Sequence, residues 1–219
     1  MGNVTDNTYY QKGKKFIPNN NNLNSEISGV PNNGSEIEYF IKKYERELLI
    51  GALNITLYNE LNTALEDLPN ADVKWQNLVN GVEYVKDDVT YRFDGLRGFE
   101  TDSLVAYYVF CKYLENDESY YSTTGTVVSK SANSVPFSPT TKYNDAWFNF
   151  LDKYQNGQHK QDNYSYIVDC DTGLPVGVDY YHQETNSLLV SLETYLKDHE
   201  TDFEGYNFTR YSGTNAFGI

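Results

Sequence analysis

Residues Ser103–Leu114, SLVAYYVFCKYL, form the longest stretch of this chain that contains almost no polar side chain. Leu104, Tyr107, Cys111 and Leu114 recur at helical spacing, and apolar residues fill most positions between them. The stretch is too short to cross a bilayer. A helix that is apolar on nearly all sides must be covered on all sides by other elements. The stretch therefore predicts the central helix of a helical domain.

The segments on either side of this helix have a different character. Asn80–Leu96 switches to a period of two residues around a turn at Lys86–Asp88, and this alternation predicts a β-hairpin. A lone hairpin is only marginally stable in water, so we expect it to lie against the helices or against a neighbouring subunit. Ser122–Pro139 is polar and longer than a connection within a compact domain needs to be. It is interpreted either as a surface loop or as a loop that becomes ordered on a neighbour.

The whole chain predicts a mainly α fold, a helical bundle around a central apolar helix with an inserted β-hairpin and long extended arms and loops. Residues 1–34 are rich in Asn and Pro, and they predict an extended or disordered N-terminal arm. A helical core is predicted at 35–156, and it includes the hairpin at 80–96 and the polar loop at 116–139. An irregular insertion follows at 157–183, with short strands at Tyr164–Val168 and Val176–Tyr180. The chain ends in a predicted C-terminal helix and docking tail at 184–219.

Further helices are expected beside the central one. Apolar residues recur at spacings of three and four from Ile37 to Leu48 and again from Leu53 to Leu68, with Gly51 between the two runs. This predicts two helices or one kinked helix, with Gly51 as the bending or close-packing point. The last helix is predicted over Glu184–His199.

Aromatic residues mark two further segments. Thr8–Pro18, TYYQKGKKFIP, is basic and aromatic, and is interpreted either as an unspecific patch or as a peptide that orders against a partner's acidic or apolar groove. After the polar loop, aromatic residues at helical spacing predict a helix whose aromatic side faces the core. These residues are Tyr143, Trp147, Phe150 and Tyr154.

Composition restricts the class of function. The formal net charge is −14, and such a surface repels nucleic acid, so DNA binding through a basic groove is not expected. An acidic surface keeps a protein soluble, and it also suits a passage through which DNA slides without binding. The chain contains 21 tyrosines, large half-polar side chains that suit interfaces as well as cores.

No catalytic residue, metal ligand or cofactor is predicted, because the chain lacks the usual catalytic and nucleotide-binding motifs. Asp169–Gly173, DCDTG, has the Asp-Thr-Gly order of aspartic proteases, but those enzymes need two such motifs on a β-rich scaffold. No secretory signal pattern opens the chain, so we expect synthesis and assembly in a reducing cytoplasm. The scattered histidines and cysteines, which suggest neither a metal site nor a disulfide framework, are His159, His182, His199, Cys111 and Cys170.

Several stretches together resemble small neck proteins of tailed phages. EYFIKKYERELLIGALNITLYNEL (38–61) resembles the opening helices of those proteins. WQNLVNGVEYVKDDVTYRFDGLRG (75–98) is similar to their hairpin, and SLVAYYVFCKYLENDESYYSTTGTVVSKSANS (103–134) to their central helix and polar loop. The Phe-Gly-Ile ending, Phe217–Ile219, completes the pattern. The order of these features resembles the head-to-tail connector proteins, also called adaptor or ring proteins, of crAss-like and related phages.

The resemblance implies a virion structural protein that forms a dodecameric ring under the portal and lets DNA pass without specific binding. Its implied partners are further copies of itself, the portal protein and other neck or tail proteins, with no membrane involved. The long N-terminus and the 157–183 insertion depart from a minimal adaptor, and they leave open which ring of the neck it forms. The residues expected to contact a neighbouring subunit or the portal are Tyr9, Tyr10, Phe16, Tyr121, Thr124, Gly125, Val127, Val128, Phe137, Tyr206, Phe208, Tyr211, Phe217 and Ile219.

Two other hypotheses stay open beside the connector. One is a non-enzymatic scaffold or binding module that uses a Tyr-rich surface for protein contacts. The other is an enzyme without a recognisable motif, such as a hydrolase that uses Asp169 and Asp171 with His182.

Overall fold

A computed structural model describes residues 2–17, 34–117, 120–122, 125–127, 140–156, 167–168, 175–176 and 187–213. The fold is mainly α with a small β portion, which confirms the predicted class. The helices are α1 (Gly34–Phe40), α2 (Arg46–Leu53), α3 (Ile55–Ala64), α4 (Val73–Asn80), α5 (Leu104–Asp117), α6 (Thr140–Leu151) and α7 (Leu192–Asp198). A π-helical turn (Ile41–Glu45) joins α1 to α2, a second one (Asp152–Asn156) extends α6, and a 3₁₀ segment (Leu65–Asn70) follows α3.

Helix α5 is the predicted central helix, and its surroundings confirm the expectation of burial on all sides. Every side chain from Leu104 to Cys111 is buried. Ser103 caps the helix, since its Oγ accepts a hydrogen bond from the Ala106 amide (3.1 Å) and donates one to the Leu96 carbonyl (2.6 Å). Rings of α6 pack against α5, as do rings of α1. Neighbouring elements therefore remove most of the apolar stretch from water, and only Lys112 and Leu114 within it are partly exposed.

The break in the first helical region lies at Asn54 and not at Gly51. Helix α2 continues through Gly51 to Leu53, and Asn54 then adopts a φ of 83°. The Asn54 side chain caps α3 by accepting hydrogen bonds from the Thr56 and Leu57 amides at 2.8 and 3.0 Å.

Gly51 is a close-packing point, as one of the two sequence interpretations proposed. The Thr209 amide donates to the Gly51 carbonyl at 2.7 Å, and a Cβ at position 51 would lie 3.6 Å from the Thr209 side chain. The C-terminal segment therefore lies directly on α2 at Gly51, at a distance that leaves ordinary van der Waals room for a Cβ.

The predicted hairpin is present as β1 (Val82–Lys86) and β2 (Val89–Phe93). Asp87 and Asp88 form its two-residue turn with φ angles of 52° and 62°, the left-handed geometry that matches the twist of antiparallel strands. The hairpin does not stand alone, because its Phe93 ring stacks on Tyr195 of α7 at 4.4 Å.

The predicted C-terminal helix starts later than expected. Leu188–Leu189 is a strand, β7 in chain order, that pairs in parallel with β2 and completes a sheet of order β1–β2–β7. Helix α7 then begins after Ser191, whose Oγ accepts from the Thr194 amide. The leucines at 188 and 189 are compatible with either a helix or a strand. Their hydrogen-bonded pairing with β2 makes them a strand.

Two further hairpins are short. β3 (Tyr120–Ser122) pairs with β4 (Gly125–Val127) at the start of the predicted polar loop, whose remainder lies outside the described residues. β5 (Ile167–Val168) pairs with β6 (Pro175–Val176), so two short strands are present in the insertion where two were predicted.

The N-terminal segment differs from the predicted extended or disordered arm. Residues 2–17 contain two 3₁₀ turns, Asn7–Tyr10 and Gly13–Lys15, and they pack on the helical body. Val4, Tyr10 and Ile17 are buried there. The burial of these side chains offsets the low helical propensity of the segment. The local sequence could not indicate this burial, because it depends on contacts with distant residues. Residues 18–33 lie outside the described residues.

Replacing Ser103 by Ala should destabilise the protein by about 1 to 3 kcal/mol, because α5 loses its N-cap and the buried Leu96 carbonyl loses a donor. Chemical denaturation would measure the change in the free energy of unfolding. The control is Thr63→Ala, which removes an exposed hydroxyl bonded to the Asn59 carbonyl and should be nearly neutral. Equal effects for the two variants would contradict the role given to Ser103.

Candidate interaction surfaces

The structure places the predicted contact residues in three different environments. Phe16 is exposed, Tyr9 is half-buried and Tyr10 is fully buried. Tyr121, Gly125 and Val127 belong to β3 and β4. Three others are half-buried on the chain's own core: Tyr206, Phe208 and Tyr211. The remaining five lie outside the described residues: Thr124, Val128, Phe137, Phe217 and Ile219.

Tyr10 is a core residue in this structure and not a contact residue. Its exposure is 0%, and burial raises the pKa of its hydroxyl well above the usual value. The sequence could not distinguish Tyr10 from Phe16, since both are aromatic residues of the same basic segment. The two differ only in which side of a docked segment they lie on.

The C-terminal segment packs on its own domain. The Tyr211 ring contacts the rings of Trp147 and Tyr154, with centroids 6.0 and 5.4 Å away. The Tyr211 amide donates to Gln155 Oε1 at 2.8 Å, and the Tyr154 hydroxyl donates to the Thr209 carbonyl at 2.9 Å. Residues up to Tyr211 therefore form an outer layer of the core, and any docking tail begins beyond them.

A buried carboxylate holds the N-terminal segment. Glu45 is 4% exposed, and it accepts hydrogen bonds from the Val4 amide, the Thr5 amide and the Thr5 hydroxyl. Burial raises the pKa of Glu45 to about 7, although these hydrogen bonds and the nearby Arg97 guanidinium favour the charged form. The attachment of residues 2–17 is therefore coupled to protonation in the neutral range.

A second charged cluster lies where the same segment meets α5 and α6. The Lys15 ammonium sits 4.0 Å from the centroid of the Tyr107 ring, and burial lowers the pKa of Lys15 to about 8. Lys153 pairs with Asp102 at 2.9 Å and with Asp94 at 3.5 Å. Burial opposes the charge of Lys153, but the two carboxylates outweigh it and raise its pKa.

Three exposed phenylalanines belong to segments that contribute to this cluster or pair with its neighbours. Phe16, Phe99 and Phe148 are 48%, 61% and 55% exposed. Phe16 follows the buried Lys15, and the Phe99 carbonyl accepts a hydrogen bond from the Asp102 amide. Phe148 lies one helical turn from Asp145, which pairs with Lys14 at 3.4 Å. We call Phe16, Phe99, Phe148 and Lys14 the aromatic face.

Sequence analysis found only Phe16 of these three phenylalanines. Phe148 lies beside the core stripe of α6 and not on it, and that spacing is the signal that it faces outward. Phe99 lies between Gly98 and Glu100, which both have positive φ. Phe99 therefore lies in an irregular turn, where exposed and buried side chains do not alternate with a regular period. For this reason the sequence contains no pattern that would predict its exposure.

The described residues offer no assembled metal site. They contain no group of three or more His, Cys, Asp or Glu side chains that could hold a metal ion. His199 packs against the Tyr84 and Tyr195 rings at 4.7 and 4.3 Å and interacts with the Tyr195 carbonyl. Cys111 is buried, and burial raises its pKa. The predicted hydrolase residues Asp169, Asp171 and His182 lie outside the described residues.

Within the described ranges, no helix combines the length and the apolar character that crossing a membrane requires.

A family model matches residues 49–167, just over half of the chain, and its description is a family of unknown function, DUF6712. The chain belongs to the DUF6712 family. The matched region runs from α2 into β5 and includes Phe99 and Phe148 of the aromatic face. Both terminal segments that pack on the body, 2–17 and 187–213, lie outside the DUF6712 match. No curated protein and no solved structure gives a significant match.

Raising the pH through 7 should loosen residues 2–17. The docked Glu45 carboxyl has a pKa of about 7 against an ordinary value of 4.5. Its contribution to docking is therefore complete below that ordinary value and is lost as the pH rises through 7. NMR hydrogen-exchange protection factors of the Val4 and Thr5 amides, corrected for intrinsic exchange, should fall between about pH 5 and about pH 8 and then stay level.

The matched control is Glu45→Gln, which keeps an acceptor oxygen but does not titrate. Its protection factors should stay constant over the same range. Protection that increases with pH in the wild-type chain would overturn the assignment to Glu45.

Proposed function

We propose that this DUF6712 protein is a virion structural protein of the phage neck. It forms a ring, dodecameric by the connector resemblance, that joins the portal to the tail and lets DNA pass. It assembles in the host cytoplasm and resides in the virion. It acts without a cofactor and not as an enzyme. Its partners are further copies of itself, the portal protein and other neck or tail proteins.

The observation that carries this proposal is the aromatic face. Large apolar side chains exposed together on one side of a protein mark sites of protein–protein interaction, and phenylalanine is enriched in interface cores. Phe16, Phe99 and Phe148 come from three separate segments, which the Lys14–Asp145 and Lys153–Asp102 ion pairs and the contact of Lys15 with Tyr107 connect to the body. A subunit of a permanent ring needs exposed apolar side chains of this kind where it meets its neighbours.

The body is consistent with a structural role. The helices pack around α5, and both chain ends cover the body with buried side chains and paired polar groups. The net charge of −14 supports a lumen that offers DNA nothing to bind.

A scaffold module with a Tyr-rich surface receives less support. Many of the 21 tyrosines are in the core and are not available for contacts. Those buried are Tyr10, Tyr44, Tyr58, Tyr107, Tyr108, Tyr113, Tyr143, Tyr154 and Tyr195. Among the described residues, the exposed large aromatic side chains are three phenylalanines, Phe16, Phe99 and Phe148, and one tyrosine, Tyr39.

Native mass spectrometry of the protein mixed with the portal protein of the same phage tests the proposal. We expect a complex with about one copy per portal subunit, because equal subunit numbers let every copy make the same contact with the portal ring. A protein that never joins the portal would contradict direct docking and favour the scaffold module.

A further inference from the structure

Residues 2–17 dock on a site that runs across the helical body. At its start, the chain passes so close to the 3₁₀ segment after α3 that a Cβ at Gly2 would lie 2.8 Å from the Leu65 Cβ. Further along, the Asn7 side chain donates to Glu38 of α1 at 3.2 Å. The body residues that contact the segment come from separate parts of the chain, and we call them the docking site: Glu38, Glu45, Leu65, Arg97, Tyr107 and Asp145.

The docked segment also has hydrogen bonds of its own. The Ile17 amide donates to the Tyr10 carbonyl at 2.9 Å and so joins the end of the segment to its first 3₁₀ turn. Asp6 caps that turn by accepting a hydrogen bond from the Thr8 amide at 2.8 Å. Neither bond involves the body. The segment can therefore pass from one docking site to an identical one and keep these bonds.

The segment and the docking site have opposite charge. The segment carries a single acid, Asp6, and three lysines: Lys12, Lys14 and Lys15. The docking site contributes three acids, Glu38, Glu45 and Asp145, against one base, Arg97. Because the whole chain has a net charge of −14, the body without this segment is more negative still. An acidic surface of this protein therefore attracts residues 2–17.

The connection to α1 is long enough to reach another copy. Sixteen residues, 18–33, separate the segment from Gly34, where α1 begins. A chain of this length spans up to about 55 Å when it is extended, whereas a small domain is about 30 Å across. The docking site of an adjoining subunit is thus within reach.

Detachment from the chain's own body is the step that such a transfer requires. Burial of Glu45 opposes its ionised form, and its pKa of about 7 means that part of the population holds a buried charge at neutral pH. The segment is therefore attached less firmly than its number of contacts suggests.

We propose that, in the assembled ring, residues 2–17 of each copy leave their own docking site and dock on the docking site of the next copy. This inference rests on the proposed ring and names the segment that joins neighbouring subunits. Because the docking sites are identical, the exchange keeps the same contacts and makes them contacts between subunits, which is a low-cost route to association. In a ring, the neighbour's docking site is present at an effective concentration on the order of millimolar.

Charge favours exchange over docking within each chain. Subunits with a net charge of −14 repel one another. A segment that stays on its own body leaves two acidic bodies facing each other. A segment that crosses to the neighbour places lysines of one copy against carboxylates of the next, as Lys14 lies against Asp145 here.

Chemical cross-linking of the full chain tests the proposal. Lys14→Cys and Asp145→Cys place one thiol on the segment and one on the docking site, in a Cys170→Ser background in which Cys111 is buried. The two native side chains are 63% and 60% exposed and pair at 3.4 Å. Loss of so exposed an ion pair has little effect on stability, so the variants should fold.

A short bismaleimide should give different products before and after assembly of the Lys14→Cys/Asp145→Cys double variant. In dilute monomers it should link the two thiols within each chain. In the concentrated oligomer or the portal complex it should link each chain to the next, and denaturing electrophoresis should show a ladder of covalent products. Single-thiol Lys14→Cys copies, mixed before assembly with Asp145→Cys copies, should give covalent dimers and nothing larger.

The matched control is a pair of thiols within the body. Glu60 and Lys74 form an ion pair between α3 and α4 at 3.8 Å, and Glu60→Cys/Lys74→Cys should be linked within each chain both before and after assembly. Copies with Lys14→Cys mixed with copies with Glu60→Cys should give no covalent dimer. An equal yield of dimer from that mixture would show random collision and overturn the exchange.

The remaining outcomes separate the exchange from the neck function. Oligomers or portal complexes in which the Lys14→Cys/Asp145→Cys link stays within each chain overturn the exchange and leave the neck function standing. A ladder in an oligomer that never joins the portal keeps the exchange and removes the neck function. A chain that stays monomeric, both at high concentration and with the portal protein, overturns both.

Discussion

The need to cover α5 on every side shapes the rest of the molecule. A helix whose side chains from Leu104 to Cys111 are all buried leaves no side for water, and one or two neighbouring helices cannot enclose it. Helices α1 and α6 cover part of it. The N-terminal segment covers another part, with Lys15 over the Tyr107 ring. Residues near the C-terminus complete the cover, with Tyr211 against Tyr108.

Tyrosine makes this cover possible in an acidic protein. A buried tyrosine supplies a large apolar ring, but its hydroxyl needs a partner. Here hydroxyls reach carboxylates at the edge of the core, as in Tyr108 to Glu47, Tyr107 to Asp102 and Tyr143 to Glu115, at 2.8, 2.6 and 2.6 Å. The high tyrosine content and part of the acidic content thus serve the same packing. Among the described residues, the large apolar side chains that remain exposed are mostly phenylalanine, isoleucine and valine, together with Tyr39 and Leu189.

The chain ends are held by contacts of different strength. The C-terminal segment adds stacked rings and backbone hydrogen bonds at Gly51 and Gln155. The N-terminal segment depends on Glu45, a carboxylate whose ionised form is costly to bury. Its docking therefore responds to pH, and it carries Phe16 and Lys14 of the aromatic face with it. A surface that includes Phe16 is complete only while residues 2–17 are docked.

Local signals in the sequence determined most of the elements. The unbroken apolar run defines α5, the alternation and the Asp87–Asp88 turn define the hairpin, and the aromatic stripe from Tyr143 to Tyr154 defines the buried side of α6. These predictions succeed because the spacing of apolar side chains and the preference of residues for turns depend only on residues close in the sequence. The tertiary structure decided that Leu188–Leu189 pairs as a strand and that residues 2–17 dock. It also decided that Tyr10 faces inward while Phe16 faces outward. Each of those outcomes depends on which distant residue supplies a partner, and no spacing along the chain contains that information.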